Sequence, residues 1–265
     1  MKALIKLGGS LLDTPELRAN LAAQIAEQSR RGVEIAVVHG GGRQMTRFLA
    51  ERGVESRFVN GLRVTTPETM DAVLKVLAGS VNQELVAALI AAGLRAVGLS
   101  GVDGNLVEAE PMDAALGLVG RIRRANPALL ELLLSRGFLP VVACVAGDGN
   151  GRMYNVNADQ MAGACAAGWR ADRLIFLTDI AGVLDAAGKV QPVLTAANCS
   201  QLIAEGVATG GMQAKLNAAT AALDEGVAEI DIAPGVLPGV LAHLFDGELL
   251  GTRIARAQEP VASHD

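Results

Sequence analysis

Ala3-Leu4-Ile5-Lys6-Leu7-Gly8-Gly9-Ser10 is an apolar run broken by one lysine and closed by two adjacent glycines. It reads as a buried strand whose carboxyl end opens into a tight turn, with Lys6 at the exit and glycines that let backbone N–H groups approach a ligand closely. Ile35-Ala36-Val37-Val38 repeats the arrangement and runs straight into His39-Gly40-Gly41-Gly42 and an amphipathic stretch from Gln44 to Arg52. Two glycine turns at the same edge of one sheet, each leading toward a helix, build a cradle for an anion. Neither turn is a complete nucleotide signature: no Gly-Lys-Ser/Thr closes the first, and neither has full G-x-G-x-x-G spacing.

Outward from these strands the pattern repeats. Thr14-Pro15-Glu16 supplies an N-cap, a proline at the first helical position and an early acid, for a helix to about Arg31 that Gly32 ends. A hairpin is expected from Phe58 to Thr66, then a helix from Val73 to Ala92 with a break at Gly79, then a strand from Ala96 to Ser100. Leu106 to Ala109 and Leu118 to Ile122 read as paired strands, Pro127 to Arg136 as a helix, Leu139 to Val145 as one apolar strand and Arg173 to Leu177 as another. Helices are expected at Thr195 to Glu205 and Met212 to Glu225, and short strands at Ile230-Asp231-Ile232 and Thr252-Arg253-Ile254. Strands joined by connections of helical length predict an α/β fold, a mainly parallel sheet with helices on both faces. No linker parts two independent domains; a division into lobes falls near Gly168 to Ala171, giving residues 1–170 and 171–265.

With 265 residues and 51% hydrophobic side chains the chain can bury a large core. A net charge of -5 without a basic stripe excludes a nucleic-acid partner, since Arg121, Arg123 and Arg124 form too short a cluster. Cys144, Cys165 and Cys199 lack metal-ligand spacing and are expected as reduced thiols of a cytoplasmic protein. No signal peptide and no unbroken apolar run of membrane-spanning length is expected, so no membrane partner. The tail from Ala257 to Asp265 reads as frayed and uninvolved.

Four further segments carry chemistry. Burying Lys6 without a partner costs several kcal/mol, on the order of the penalty for an uncompensated ion, so either it is a cation at the mouth of a site or it snorkels from an edge strand. Asn60-Gly61-Leu62-Arg63-Val64-Thr65 offers a planar guanidinium suited to a carboxylate, although a solvated hairpin arginine explains the segment equally. Tyr154-Asn155-Val156-Asn157-Ala158-Asp159 sets two amides and an acid at a helix start, where Asn157 suits an N-cap and Asp159 the helix dipole. Thr209-Gly210-Gly211-Met212-Gln213-Ala214-Lys215 opens a helix with a glycine pair and puts Lys215 one turn in, either facing an anion or on the surface. Thr178-Asp179-Ile180-Ala181-Gly182-Val183 lies at a strand end, where open parallel sheets bind ligands. His39 is either a general base or a prop for its loop.

Taken in this order, the set resembles the amino acid kinase family. The matching segments are KLGG at Lys6 to Gly9, VHGGG at Val38 to Gly42, NGLRVT at Asn60 to Thr65, AVGLSGVDG at Ala96 to Gly104 and LGLVG at Leu116 to Gly120. YNVNAD at Tyr154 to Asp159, LTDIAGVL at Leu177 to Leu184, GGMQAK at Gly210 to Lys215 and GTRI at Gly251 to Ile254 continue the match. The resemblance implies a three-layer αβα sandwich around a mainly parallel sheet, with ATP and Mg²⁺ as cofactors and no confident protein ligand for the metal. It implies transfer of the γ-phosphoryl of ATP to the side-chain carboxylate of N-acetyl-L-glutamate, in arginine biosynthesis; a carrier-bound aminoadipate or glutamate is the alternative acceptor.

The resemblance also implies roles. Lys6 and Lys215 would neutralise the transferring group, with Asp159 orienting both. Gly8, Gly9, Gly41 and Gly42 would hold phosphate oxygens, Gly41 and Gly42 on the acceptor's side. Arg63 and Asn155 would hold the acceptor's α-carboxylate. Thr178, Asp179, Gly182, Val183, Leu184, Gly210 and Gly211 would form the nucleotide site. The amino-terminal lobe would bind the acceptor and dimerise, and the other would bind ATP. Because the chain opens directly on its first strand, where arginine-inhibited hexameric members carry an extra helix, a homodimer insensitive to arginine is expected.

Overall fold

The computed structural model describes residues 1–256; the tail expected to be frayed lies outside them. The chain opens with β1 (Lys2–Leu7), α1 (Pro15–Arg30), β2 (Glu34–His39), α2 (Gly42–Ala50) and a hairpin of β3 (Phe58–Val59) and β4 (Leu62–Arg63). There follow α3 (Pro67–Val73), α4 (Asn82–Ala91), β5 (Ala96–Ser100), β6 (Val107–Pro111), β7 (Gly120–Ala125), α5 (Ala128–Ser135), β8 (Leu139–Ala143), β9 (Val145–Gly147) and β10 (Met153–Asn155). The remainder is α6 (Ala158–Trp169), β11 (Arg173–Thr178), β12 (Val193–Leu194), α7 (Ala196–Ala204), α8 (Gly210–Asp224), β13 (Glu229–Pro234), α9 (Val240–Phe245) and β14 (Thr252–Ala255).

Eight strands form one sheet in the order β12-β14-β13-β11-β1-β2-β8-β5. Every pairing in it is parallel except β13 with β14. β1 is central, and Ala3, Leu4, Ile5 and Leu7 are fully buried because helices cover both faces. That is why the strand reads as a near-continuous apolar run rather than an alternating one. The expected α/β class is therefore observed. A second sheet, β10-β9-β6-β7, carries the expected antiparallel pair of β6 and β7. Asn60 and Gly61, both at positive φ (50° and 78°), make the tight turn of the β3–β4 hairpin.

One detail differs from the sequence reading. The apolar segment Leu139 to Val145 is two strands, because Cys144 leaves the large sheet and Val145 pairs with Asn155 in the small one. Gly79 does mark the expected break: α3 and α4 are joined through a π-helical segment, Leu74–Val81, that is kinked at Gly79, whose angles are non-helical (φ −93°, ψ −105°). Lacking a Cβ, glycine adopts these kinked angles at little steric cost. Counted across the kink, Pro67–Ala91 reaches 25 residues with a mean hydropathy of 1.5 over its window, enough by length and composition alone to cross a membrane. Here Val73, Val76, Leu77, Val81, Leu85 and Leu89 bury it in the core.

Candidate active site

Parallel strands bring β1, β2 and β11 to one edge with their carboxyl ends together, Lys6 lying in register between Val38 and Phe176. From the other side come two helix starts. Asn157 caps α6, its Oδ1 accepting from the Asp159 and Gln160 N–H groups at 2.8 and 3.2 Å, which fixes Asp159 in the first turn. α8 begins at Gly210, so Lys215 comes round after about one turn.

These three side chains meet. Lys6 Nζ lies 2.8 Å from Asp159 Oδ1, and Lys215 Nζ donates to the same oxygen at 2.9 Å. All three residues are at most 7% exposed. Two ammonium groups on one carboxylate leave a surplus positive charge in a poorly solvated place. Burial opposes the ionised form of Asp159, but the two lysines outweigh it and hold the carboxyl below its usual range. Burial, then the Lys6 charge, pushes Lys215 down to about 8 against the pull of Asp159. The Lys215 ammonium also sits 5.0 Å from the centre of the Phe176 ring.

The glycine turns close the mouth. A Cβ on Gly9 would stand 3.1 Å from Gly41 Cα and 3.2 Å from Gly42 N, so the two turns pack backbone on backbone. Gly8 N–H donates to Leu177 O at 3.0 Å, tying the first turn to β11. Gln44 secures the arrangement by donating to Gly9 O and Asp13 Oδ1, each at 2.9 Å.

Beside the turns lies a cavity of about 150 Å³ lined by Gly41, Gly42, Arg63, Asn155, Cys144 and Leu77 among others. Arg63 is buried, not solvated: its guanidinium donates to Gly42 O (3.0 Å), Thr46 Oγ1 (2.9 Å) and Ser56 Oγ, with the Phe58 ring centre 4.6 Å away. Burial lowers its pKa from the ordinary arginine value. Asn155 Nδ2 donates to Thr65 Oγ1 at 3.1 Å. Burial pushes the Cys144 thiol up to about 11, leaving it a neutral wall. A larger groove, about 650 Å³, runs between α6, α8 and β7. Neither Asp159 nor Lys215 lines it, whereas the second glycine turn, Arg63 and Asn155 all line the smaller one.

The hairpin reaches across to α8, where a Cβ on Gly61 would lie 3.7 Å from the Gly210 carbonyl carbon. Nothing lies within 4 Å of where a Cβ would stand on Gly210 or Gly211, so the start of α8 has open space beside it. Thr178 ends β11, and Asp179 just beyond it is 3.5 Å from Arg43. Against the cost of burial, the Ser10 hydroxyl, its own backbone, Thr178 and Arg43 hold the Asp179 carboxyl low. The contacts of Gly182, Val183 and Leu184 run elsewhere: Val183 N–H donates to Thr252 Oγ1 (2.8 Å), Gly182 abuts Gly251, and Leu184 bridges to Val190.

Arg43, Gln44, Thr46 and Ser56 escaped the sequence reading. Arg43 had a signal, since it follows three glycines at a helix start, and it also lies 3.6 Å from Asp13. The others act only through the fold. His39 proves a prop: it is fully buried, its Nδ1 faces Gly40 O at 2.9 Å, and burial lowers its pKa to about 4. Among the described residues no group of three or more His, Cys, Asp or Glu side chains could cage a metal.

An anion cradle furnished with cations and with no mobile base is the equipment of a phosphotransferase. Residues 1–234 match the amino acid kinase family, and the chain belongs to it. It is 62% identical to the acetylglutamate kinase of Solibacter usitatus (strain Ellin6076) over 257 residues, 97% of this chain and 100% of that protein. The acetylglutamate kinase of Acidobacterium capsulatum is 43% identical over 265 residues, covering 99% and 100% of the two chains. The N-acetylglutamate synthase of Neisseria gonorrhoeae, solved with coenzyme A and N-acetyl-glutamate, matches with a TM-score of 0.86 at 27% identity; the match covers 97% of this chain and 60% of that one.

Proposed function

We infer that the chain transfers the γ-phosphoryl group of ATP to the side-chain carboxylate of N-acetyl-L-glutamate. The products are N-acetyl-L-glutamyl 5-phosphate and ADP, the second step of arginine biosynthesis. The observation that supports this chemistry most is the meeting of Lys6 and Lys215 on the single carboxylate of Asp159.

A side-chain carboxyl of this kind has a pKa of about 4, so the nucleophile is already ionised at neutral pH and needs no base. The obstacle is repulsion between an anionic acceptor and anionic phosphates. Lys6 and Lys215 offset it, strengthening as charge spreads over the transferring group. Asp159 holds the two ammonium groups together on one oxygen and aims them. Gly9, Gly41 and Gly42 present N–H groups to phosphate oxygens and Gly8, whose own N–H is taken by Leu177 O, shapes the turn, while Arg63 and Asn155 hold the acceptor's α-carboxylate in the adjoining cavity. The nucleotide lies over the other half of the sheet, toward Thr178, Asp179, Gly182, Val183, Leu184, Gly210 and Gly211.

Mg²⁺ fits this site as an ion carried on the nucleotide, because it usually keeps several waters and is held largely by substrate phosphates rather than by an all-protein cage. When bound it would neutralise phosphate charge. Residues 1–170 form the acceptor-binding, dimerising lobe and residues 171–265 the ATP lobe of a homodimer indifferent to arginine. Three unpaired, buried cysteines accord with a reducing cytoplasm.

Coupled ADP release, with N-acetyl-L-glutamate, glutamate and aspartate as acceptors and hydroxylamine to trap acyl phosphate, tests the reading. Hydroxamate is expected from N-acetyl-L-glutamate alone. ATP binding with no hydroxamate from any of the three would overturn it.

A further inference from the structure

Behind the second glycine turn lies a buried polar relay that the chemistry above leaves unused. Asn82, 1% exposed, stands at the start of α4, immediately after the π-helical segment. Its Nδ2 is 3.0 Å from both Val141 O and His39 Nε2. A carbonyl oxygen only accepts, so the amide nitrogen must face it, and the same NH₂ group gives its second hydrogen to His39 Nε2. His39 therefore carries its proton on Nδ1 and donates it to Gly40 O, 2.9 Å away. The described chain has no cis peptide bond, and in a trans peptide the carbonyl and the following N–H point in opposite directions. Pulling Gly40 O back into the protein thus turns Gly41 N–H outward, toward the cradle.

Two neighbours show that this placement is enforced. A Cβ on Gly98, in β5, would stand 2.1 Å from Asn82 Oδ1, so only glycine leaves room for the amide. A Cβ on Gly41 would stand 2.4 Å from Leu77 Cδ2, and Leu77 belongs to the π segment that delivers Asn82. We propose that Asn82, seated in the slot left by Gly98, is a positioning residue that sets the direction of the Gly41 N–H through His39 and Gly40. It rests on the reading of the Gly41 turn as part of the anion cradle.

The test is an epistasis measurement on the full chain with ATP and N-acetyl-L-glutamate, using Asn82→Ala, Gly98→Ala, the double variant and Gly41→Ala as a benchmark. Misaiming a donor by a fraction of an ångström lowers kcat by about tenfold to a hundredfold. That loss is expected in Asn82→Ala and in Gly98→Ala, with KM for ATP changed less than about threefold. The double variant should be no slower than Asn82→Ala alone, because the Gly98→Ala methyl then enters a vacated space. Equal, additive losses, or unchanged kcat in either single variant, would overturn the proposal; a purely structural role would lower thermal stability and leave kcat of the folded protein alone. If the Ala variants fold poorly, ¹⁵N NMR of His39 in the unmodified protein decides: the Nδ1–H tautomer is expected, and the Nε2–H tautomer would end the case. An active Gly41→Ala would instead sink the cradle reading, a different failure.

Discussion

At the carboxyl end of β1, Lys6 shares the carboxylate of Asp159 with Lys215 from α8. At the amino end of β11, Arg173 pairs with Asp231, whose other oxygen lies 2.9 Å from Arg253, and Glu229 stands beside both arginines. Each cluster has a buried centre, Lys6, Asp159 and Lys215 in one and Arg173 and Asp231 in the other, yet their charges are composed differently. The arginine cluster has two cations for two carboxylates and is sealed by strand pairing and by Arg173 donating to Leu244 O at 2.8 Å. The lysine cluster has two cations for one carboxylate and opens on the glycine turns. A balanced cluster fastens strands; an unbalanced one waits for an anion. Residue type follows the same division, since arginine keeps its proton in a protein whereas a buried lysine is readily shifted.

Four substitutions or conditions separate the two clusters, taken from the largest expected effect. Replacing Asp159 by Asn frees two buried ammonium groups to repel each other, and kcat should fall by about 10²–10³-fold, the scale of losing a preorganised electrostatic contact. Steady-state kinetics on folded protein checks it. Asp231→Asn should lower unfolding free energy by about 3–5 kcal/mol, as expected on removing one partner from a buried ionic cluster, while kcat stays unchanged. Denaturant unfolding beside activity reads both, and a loss of kcat there would blur the distinction.

The third concerns pH. Activity that needs a charged Lys215 is complete below its pKa of about 8 and declines as pH rises through that value. Stability runs the opposite way. The unfolded lysine keeps its proton up to 10.5, so between about 8 and 10.5 the unfolded chain binds more protons and stability rises with pH. A pH–kcat profile set beside unfolding curves at the same pH values shows both slopes. Smallest is Arg63→Lys, which keeps the charge but loses the fork; KM for N-acetyl-L-glutamate should rise about tenfold with KM for ATP little moved.

The sequence announced whatever had a local cause. Buried parallel strands read as apolar runs, glycine pairs marked the turns, and Lys6 stood out because a central strand rarely tolerates an ammonium group. That Lys6, Asp159 and Lys215 meet at one oxygen is invisible in spacing alone, since 56 positions separate Asp159 from Lys215. Only the family resemblance suggested it. Gly79 marked a real kink, since its non-helical angles have a local cause in the missing Cβ, but the π-helical hydrogen bonding around it had no sequence signal. Cys144 likewise hides a change of sheet inside an unbroken apolar run. Whether Arg63 was solvated could not be read from its own segment because its partners, Gly42 and Thr46 of α2 and Ser56 of the loop beyond, lie outside the hairpin.

The central idea is that both ammonium groups act on the group being transferred rather than on the fold. The most direct measurement is hydroxylamine-trapped acyl phosphate from Lys6→Ala and Lys215→Ala at saturating ATP, beside ATP binding by calorimetry. Turnover should fall by about 10²-fold or more in each while ATP still binds. Wild-type turnover in either variant would contradict the account.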